Sequence, residues 1–229
     1  MSIKAKWAII VTGLLLMPAA AYTYTLLSPT RHWASVPVTV CVMPPGHASI
    51  TANDPDGGVT ATINALNGNA GMGWNGTLAG WVVNAVNAAN NSATCGTEWR
   101  LGDGIPTIAF DEKIKGACSG SCLAATFVSY YECNNAFPDG HCKILDSDVL
   151  TRRNRADKSG GPYYSLYESS CTSGWEYNVE AIMVHEVGHV LGIGHSNVSG
   201  ATMYPSVSSC NSSGATIEAD DIAALDMLY

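Results

Sequence analysis

The sequence predicts an α+β protein built around a twisted mixed β-sheet. Three observations carry that expectation. β-branched runs bounded by turn residues recur before residue 151, an apolar helical pattern occupies 179–192, and a second helical pattern closes the chain at 218–229.

In chain order, Val36 to Val42 is β-rich and partly alternating, and Pro44-Pro45-Gly46 ends it, so it reads as the first strand. Residues 46–76 are rich in Gly and Asn with weak periodicity, which predicts loops around a short helix. Leu78, Trp81, Val82, Ala85 and Ala89 recur at helical spacing behind Thr77, a suitable N-cap, and predict an amphipathic helix over 78–90. Ile105 to Phe110, Leu123 to Tyr131 and Ile144 to Leu150 predict further strands. Residues 152–178 are polar and contain Gly160-Gly161-Pro162, a surface loop whose Arg152, Arg153 and Arg155 read as a solvated face. Asn178 can cap a helix that begins at Val179 and runs toward Gly192. Ile222, Leu225 and Tyr229 share one face of the last helix.

The 229 residues suit one ordinary domain, or a domain in two lobes. At 47% apolar the chain can bury a core; at 13% charged its surface must be rich in neutral polar groups. The formal net charge is −8, and without Lys4 and Lys6 the balance is 9 basic against 19 acidic residues, near −10. An acidic chain repels phosphate backbones, so nucleic acid and anionic membrane surfaces are not expected partners.

Residues 1–21 read as a secretory signal peptide: Lys4 and Lys6 precede an apolar run from Ala8 to Met17, and Ala19-Ala20-Ala21 offers a cleavage site. The run is shorter than the roughly 20 residues of a membrane-spanning helix. Residues 22–32 read as a short tether and 33–229 as the folded domain. The expectation is a secreted monomer, extracellular or, in a bacterium, periplasmic, with no membrane contact after cleavage. Cys41, Cys95, Cys118, Cys122, Cys133, Cys142, Cys171 and Cys210 follow the signal, an even set that predicts disulfides in an oxidising compartment. Cys133 with Cys142 is a plausible local pair across Pro138-Asp139-Gly140; the other pairings stay open. Cys118 and Cys122 have metal-like spacing but no matching second half, which disfavours a cysteine-held zinc.

Chemistry concentrates between His185 and His195. On a helix, His185 and His189 lie one turn apart on one face, where two imidazoles can grip one zinc at about 2.0–2.1 Å. Glu186 is rotated by roughly 100° around the helix, so it misses the metal but can reach water held there. Gly192 tolerates the left-handed conformation that ends helices, and a turn there can return His195 as a third ligand. Three protein ligands leave a fourth vertex open, which marks a catalytic rather than a structural site. A lone H-E-x-x-H pentapeptide also arises by chance on buried helices; the extension through Gly192 and His195 makes this one specific. His32, His47 and His141 show no ligand spacing and read as ordinary surface or structural residues.

The segment has the form H-E-x-x-H-x-x-G-x-x-H, and with Ala201-Thr202-Met203-Tyr204-Pro205 downstream the chain resembles the metzincin zinc metallopeptidases. Ser196 directly after the third histidine, the spacer 197–200 and the Met-Tyr-Pro run are similar to the matrixin branch, the matrix metalloprotease-type catalytic domains. Tyr204 follows Met203 immediately and is not assigned as a ligand. Asp220-Asp221-Ile222 and Leu228-Tyr229 are similar to the final matrixin helix. The likeness is clear over 179–229; over 33–150 it extends only to the order and type of elements.

This resemblance implies a zincin/metzincin-like fold. An upper lobe, 33–195, holds the sheet and a central active-site helix; a small C-terminal subdomain, 196–229, carries the Met-turn at Met203 and the last helix. It implies a secreted zinc-dependent endopeptidase with one catalytic Zn2+ on His185, His189 and His195. A zinc-activated water, with Glu186 as general base, hydrolyses protein or peptide substrates. Leu123-Ala124 resembles the start of the edge strand that such enzymes offer to an extended substrate.

Departures accompany the resemblance. No Pro-Arg-Cys-Gly-type inhibitory motif is present, and the His-x-Asp spacing of a structural zinc is missing around His141, so a second zinc is not expected. No pattern specifies Ca2+, which stays open. The eight cysteines suggest disulfides in place of bound ions as staples. The alternative from another class is a secreted zinc-bearing binding module without turnover, which needs no base at Glu186. A zincin with a distant glutamate as third ligand is unnecessary given His195. Glycosylation triplets at Asn75, Asn90, Asn197 and Asn211 arise by chance in an Asn/Ser-rich chain, and no glycan is expected.

Overall fold

A computed structural model describes residues 24–47, 50, 56–68, 73–76, 80–112, 122–130, 133, 140–152, 165–168, 170–171 and 174–229. The signal reading of residues 1–21 lies outside the described residues. The β-branched run Val38–Val42 forms β2, preceded by the short β1, Arg31–His32. Helix α1, Val59–Asn67, leads into β3, Val83–Asn87, and the brief α2, Ser92–Cys95. Strands β4, Thr107–Glu112, β5, Ala124–Tyr130, and β6, Cys142–Arg152, complete the main sheet. β7, Ser165–Tyr167, and β8, Glu176–Asn178, precede α3, Val179–Val190, and α4, Ala219–Asp226, ends the chain.

The sheet is mixed, as expected. β3, β2, β4 and β6 run parallel in that spatial order, and β5 pairs antiparallel with β6. Parallel neighbours need a crossover, and α1 supplies it between β2 and β3. Alternating side chains bury Val38, Val40, Val83, Ala85, Ile108 and Val149 against α1 and α3. Val184, Val187 and Leu191 belong to the same cluster, as do Met203, Leu225 and Leu228, so the segment after residue 195 packs into the core that the sheet uses.

Two local expectations are corrected. The helix expected over 78–90 does not form: residues 83–87 are β3, in register with β2 from Val38↔Val83 to Val42↔Asn87. The apolar residues there also suit a strand, and Asn75 settles the choice. Its buried amide accepts from the backbone N–H of Val82 and Val83 at 2.9 and 3.0 Å and donates to the carbonyls of Leu66 and Val83. Residues 77–79 lie outside the described residues. The loop expected over 152–178 contains the parallel pair β7 and β8, while 153–164 lie outside the described residues.

Residues 24–32, read from sequence as a tether, carry ordered pairing. Leu27 N–H donates to the Gly192 carbonyl at 3.0 Å, Gly194 N–H donates to the Thr25 carbonyl at 2.9 Å, and β1 joins the start of β6. The pair Cys133–Cys142 forms, together with Cys41–Cys95 and Cys171–Cys210. Cys122 is also disulfide-bonded; Cys118 lies outside the described residues.

Two stability predictions arise from buried polar groups. Asn75→Ala strands two amides and two carbonyls, and chemical denaturation should show a loss of about 2–4 kcal/mol. Asp148, on β6, is buried, and burial followed by the carboxylates of Asp146 and Asp103 pushes its carboxyl up to about 7, against backbone hydrogen bonds from Gly102 and Thr107. Between the ordinary value of 3.8 and about 7 the folded state keeps a proton that the unfolded chain releases, so stability falls as pH rises through that window. Asp148→Asn keeps an acceptor but cannot ionise. Its melting temperature relative to the parent should therefore be higher at pH 8 than at pH 5; an equal offset at both would refute the assignment.

Candidate metal centre

Helix α3 positions the centre. Asn178 caps it, its side chain accepting from Ala181 N–H at 2.8 Å, as the sequence predicted. The helix ends in a double closure: Gly192 N–H donates to His189 O, and Ile193 N–H donates to Gly188 O at 2.9 Å. Gly192 has φ +101°, the left-handed region, and a Cβ there would stand 2.1 Å from the Arg31 carbonyl oxygen. At Gly188 a Cβ would stand 2.2 Å from Met203 Sδ and 2.7 Å from Trp74 Cζ2. Only glycine lets the helix approach those two fully buried side chains. The Trp74 indole N–H donates to Val184 O at 2.8 Å.

After the Gly192 reversal, His185, His189 and His195 converge, with one donor nitrogen from each within 4.8 Å of the others. His185 Nδ1 donates to the Thr202 carbonyl at 2.6 Å and His189 Nδ1 to the Ile193 carbonyl at 2.7 Å. These bonds place the ring proton on Nδ1 and leave the Nε2 lone pair free in both residues. Nitrogens on one tetrahedral zinc at about 2.0–2.1 Å stand about 3.3 Å apart; His189 Nε2 and His195 Nε2 are 3.2 Å apart. Burial pushes His185 and His189 down to about 4, so both rings are neutral near pH 7, the form a metal requires. His195 is exposed, which opens one side of the cluster to solvent. The donor set fits a zinc ion.

Buried carboxylates on α4 hold the loops beneath. Asp221 accepts from the backbone N–H of Thr202, Met203 and Glu218 at 2.8, 3.0 and 3.0 Å. The Thr202 carbonyl that orients His185 is thus fixed from its own amide side. Ser196 Oγ donates to Asp220 at 2.5 Å, and Ser196 N–H donates to Met203 O at 2.8 Å, which fixes the chain after His195. Ahead of it in space, Thr25 Oγ1 donates to the His195 carbonyl at 2.6 Å.

Glu186 is buried beside these rings, and its carboxylate accepts from Thr126 Oγ1 on β5 at 2.5 Å. Burial pushes its carboxyl up; electrostatic interaction with His189, the Thr126 hydrogen bond and interaction with His195 oppose that. Ala124 opens β5 opposite Thr151, Leu123 precedes it, and α3 packs against the strand. Of the residues read as surface or structural, His32 and His47 are buried, with His32 edge-on to His141 and Tyr229. Among the described residues, the three site histidines are the one His/Cys/Asp/Glu group able to hold a metal.

A mixed sheet with a histidine-bearing helix that ends in a left-handed reversal is an α+β arrangement carrying a candidate metal site. The family model for matrixins matches residues 107–229, more than half of the sequence, and the chain belongs to the matrixin family. Metalloendoproteinase 4-MMP from Arabidopsis thaliana is 42% identical over 52 residues, 23% of this chain and 15% of that protein. Matrilysin from Rattus norvegicus is 36% identical over 72 residues, 31% of this chain and 27% of that protein. Neutrophil collagenase from Homo sapiens is 31% identical over 70 residues, 31% of this chain and 15% of that protein. The matched segments thus span less than a third of each relative's length.

Thr126 and Trp74 were not singled out by sequence reasoning, and Thr202 entered only as part of the run 201–205; Thr126 meets its partner across 60 residues, a distance local pattern does not reach. Asp221→Ala, which strands the buried amides of Thr202 and Met203 and the part-buried amide of Glu218, should cost about 2–4 kcal/mol in denaturant titrations. A loss under about 1 kcal/mol would show that these amides find other partners.

Proposed function

We propose that the chain is a secreted zinc-dependent endopeptidase in which His185, His189 and His195 hold one catalytic zinc and Glu186 is the general base. The observation that carries this reading is the convergence of three metal-competent imidazoles beside a buried carboxylate on one helix, in a chain of the matrixin family. Met203 serves as the Met-turn floor, supported by its full burial against Gly188. The domain spans 33–229, divided at 195/196 into a sheet-bearing lobe and a small C-terminal subdomain, with residues 24–32 paired onto it. Secretion, with cleavage after residue 21, is supported as to compartment by the disulfides, which persist in oxidising surroundings, and as to the cleavage site by Ala19-Ala20-Ala21 alone. No described helix is long and apolar enough to cross a membrane. The protein acts as a monomer on proteins or peptides.

Bound zinc supplies Lewis acidity, acidifying water and polarising a peptide carbonyl. The chain's own residues do the rest. The Nδ1 protons of His185 and His189 stay donated to backbone carbonyls, so these rings hold position and do not shuttle protons. The Glu186 carboxylate takes a proton from the attacking water and returns it to the departing amine nitrogen. Substrate lies extended against β5, entering at Leu123 and Ala124, and adds main-chain hydrogen bonds by β-augmentation.

A binding module without turnover would not require a carboxylate there, and Glu186 is both present and anchored. Two variants separate these readings. Glu186→Gln should retain one zinc per chain by elemental analysis yet lose at least about 100-fold in peptide cleavage. His195→Ala should lose the zinc, and a chelator should abolish parent activity until zinc is restored. Full cleavage by Glu186→Gln rejects the base, and zinc retained through removal of all three histidines rejects the site.

A further inference from the structure

We propose that Thr126 is a positioning residue for Glu186, its hydroxyl anchoring one carboxylate oxygen so that the other is presented to the reacting water. The inference rests on the reading of Glu186 as the base. Thr126 is the third residue of β5, paired with Val149 of β6. Its Oγ1 lies 2.5 Å from Glu186 Oε2 and 3.2 Å from the Glu186 carbonyl oxygen. A hydroxyl has one proton to donate, and the nearer acceptor, the side-chain oxygen, takes it. Among the described residues this is the hydrogen bond that the buried Glu186 carboxylate receives.

Anchoring matters because a glutamate has three rotatable torsions, and a base must keep its oxygen within hydrogen-bond reach of one water. Oε2 is committed to Thr126, which leaves Oε1 to take the proton. Threonine suits this role because its β-branched side chain is stiff at χ1 on a strand, so the sheet rather than a mobile side chain sets the hydroxyl position. β5 is also the strand proposed to receive substrate, so one element aligns both the peptide and the base. Thr126 contacts no reacting atom; it acts through Glu186.

Thr126→Val keeps the shape and removes the donor. The expected result is a fall in kcat of about tenfold with KM within about twofold, at unchanged zinc content. Thr126→Ser, which restores a hydroxyl, should recover most of the loss. An activity-independent readout uses zinc-free protein: the Glu186 carboxylate band, located by infrared difference against Glu186→Gln, should shift in Thr126→Val and return in Thr126→Ser. Should the valine variant melt early, Thr126→Ala is read in the same way. A kcat within about twofold of the parent, or an unmoved band, overturns the positioning role while an inactive Glu186→Gln leaves the base intact. A fully active Glu186→Gln overturns the base and this role with it.

Discussion

The reversal at Gly192 is the constraint on which the centre depends. At 1.5 Å per residue, a continued helix would carry residue 195 about 9 Å along the axis from His189. The chain instead brings their Nε2 atoms to 3.2 Å. The reversal needs a left-handed residue, and it is crowded from outside by the Arg31 carbonyl, so no side chain fits. The segment that crowds it also braces it, because Thr25 and Leu27 bond the backbone on both sides of Ile193. The stretch that looked like a tether therefore limits how far the third histidine can move.

From that turn, order passes to the rings through buried polar groups rather than through the rings' own packing. Asp221 fixes the amides of Thr202 and Met203, the Thr202 carbonyl fixes the His185 tautomer, and Asp220 fixes Ser196 next to His195. Buried hydrogen bonds of this kind are costly to break and so specify one arrangement. The apolar side of the same construction is the Gly188 gap, which Met203 and Trp74 fill. Polar satisfaction on one side and close packing on the other leave the histidines few alternative positions.

Local chemistry made most of α3 legible in the sequence. The Asn178 cap, the one-turn histidine spacing and the glycine reversal each act within a few residues, and each appears where expected. Strands β2, β4, β5 and β6 were legible from β-branched composition, with boundaries shifted by a few residues. Residues 83–87 were not, because their apolar spacing satisfies a helix and a strand alike; the deciding partners are Asn75 and β2, which no short window contains. The hydroxyl on Glu186 was hidden for the same reason, lying 60 residues away on another element. His32 and His47 read as surface or structural residues, and their burial selects the structural alternative, because burial, unlike spacing, depends on the whole fold.

The Cys171–Cys210 bridge bears on how this arrangement persists. Its loop, with a sequence separation of 39, encloses β8, α3, all three site histidines, Gly192 and Met203. In the chain-entropy account, closing a loop of that length disfavours the unfolded ensemble by about 4 kcal/mol. That stabilisation acts on the unfolded chain, so it requires no distortion of the folded centre. The bridge ties the approach to α3 to the segment beyond Met203, the two flanks that must stay together for the reversal, the Thr202 carbonyl and the α4 carboxylates to remain in register. With few charged residues available for ion-pair networks, a covalent loop around the site holds it as one unit while the sheet supplies the surface on which it rests.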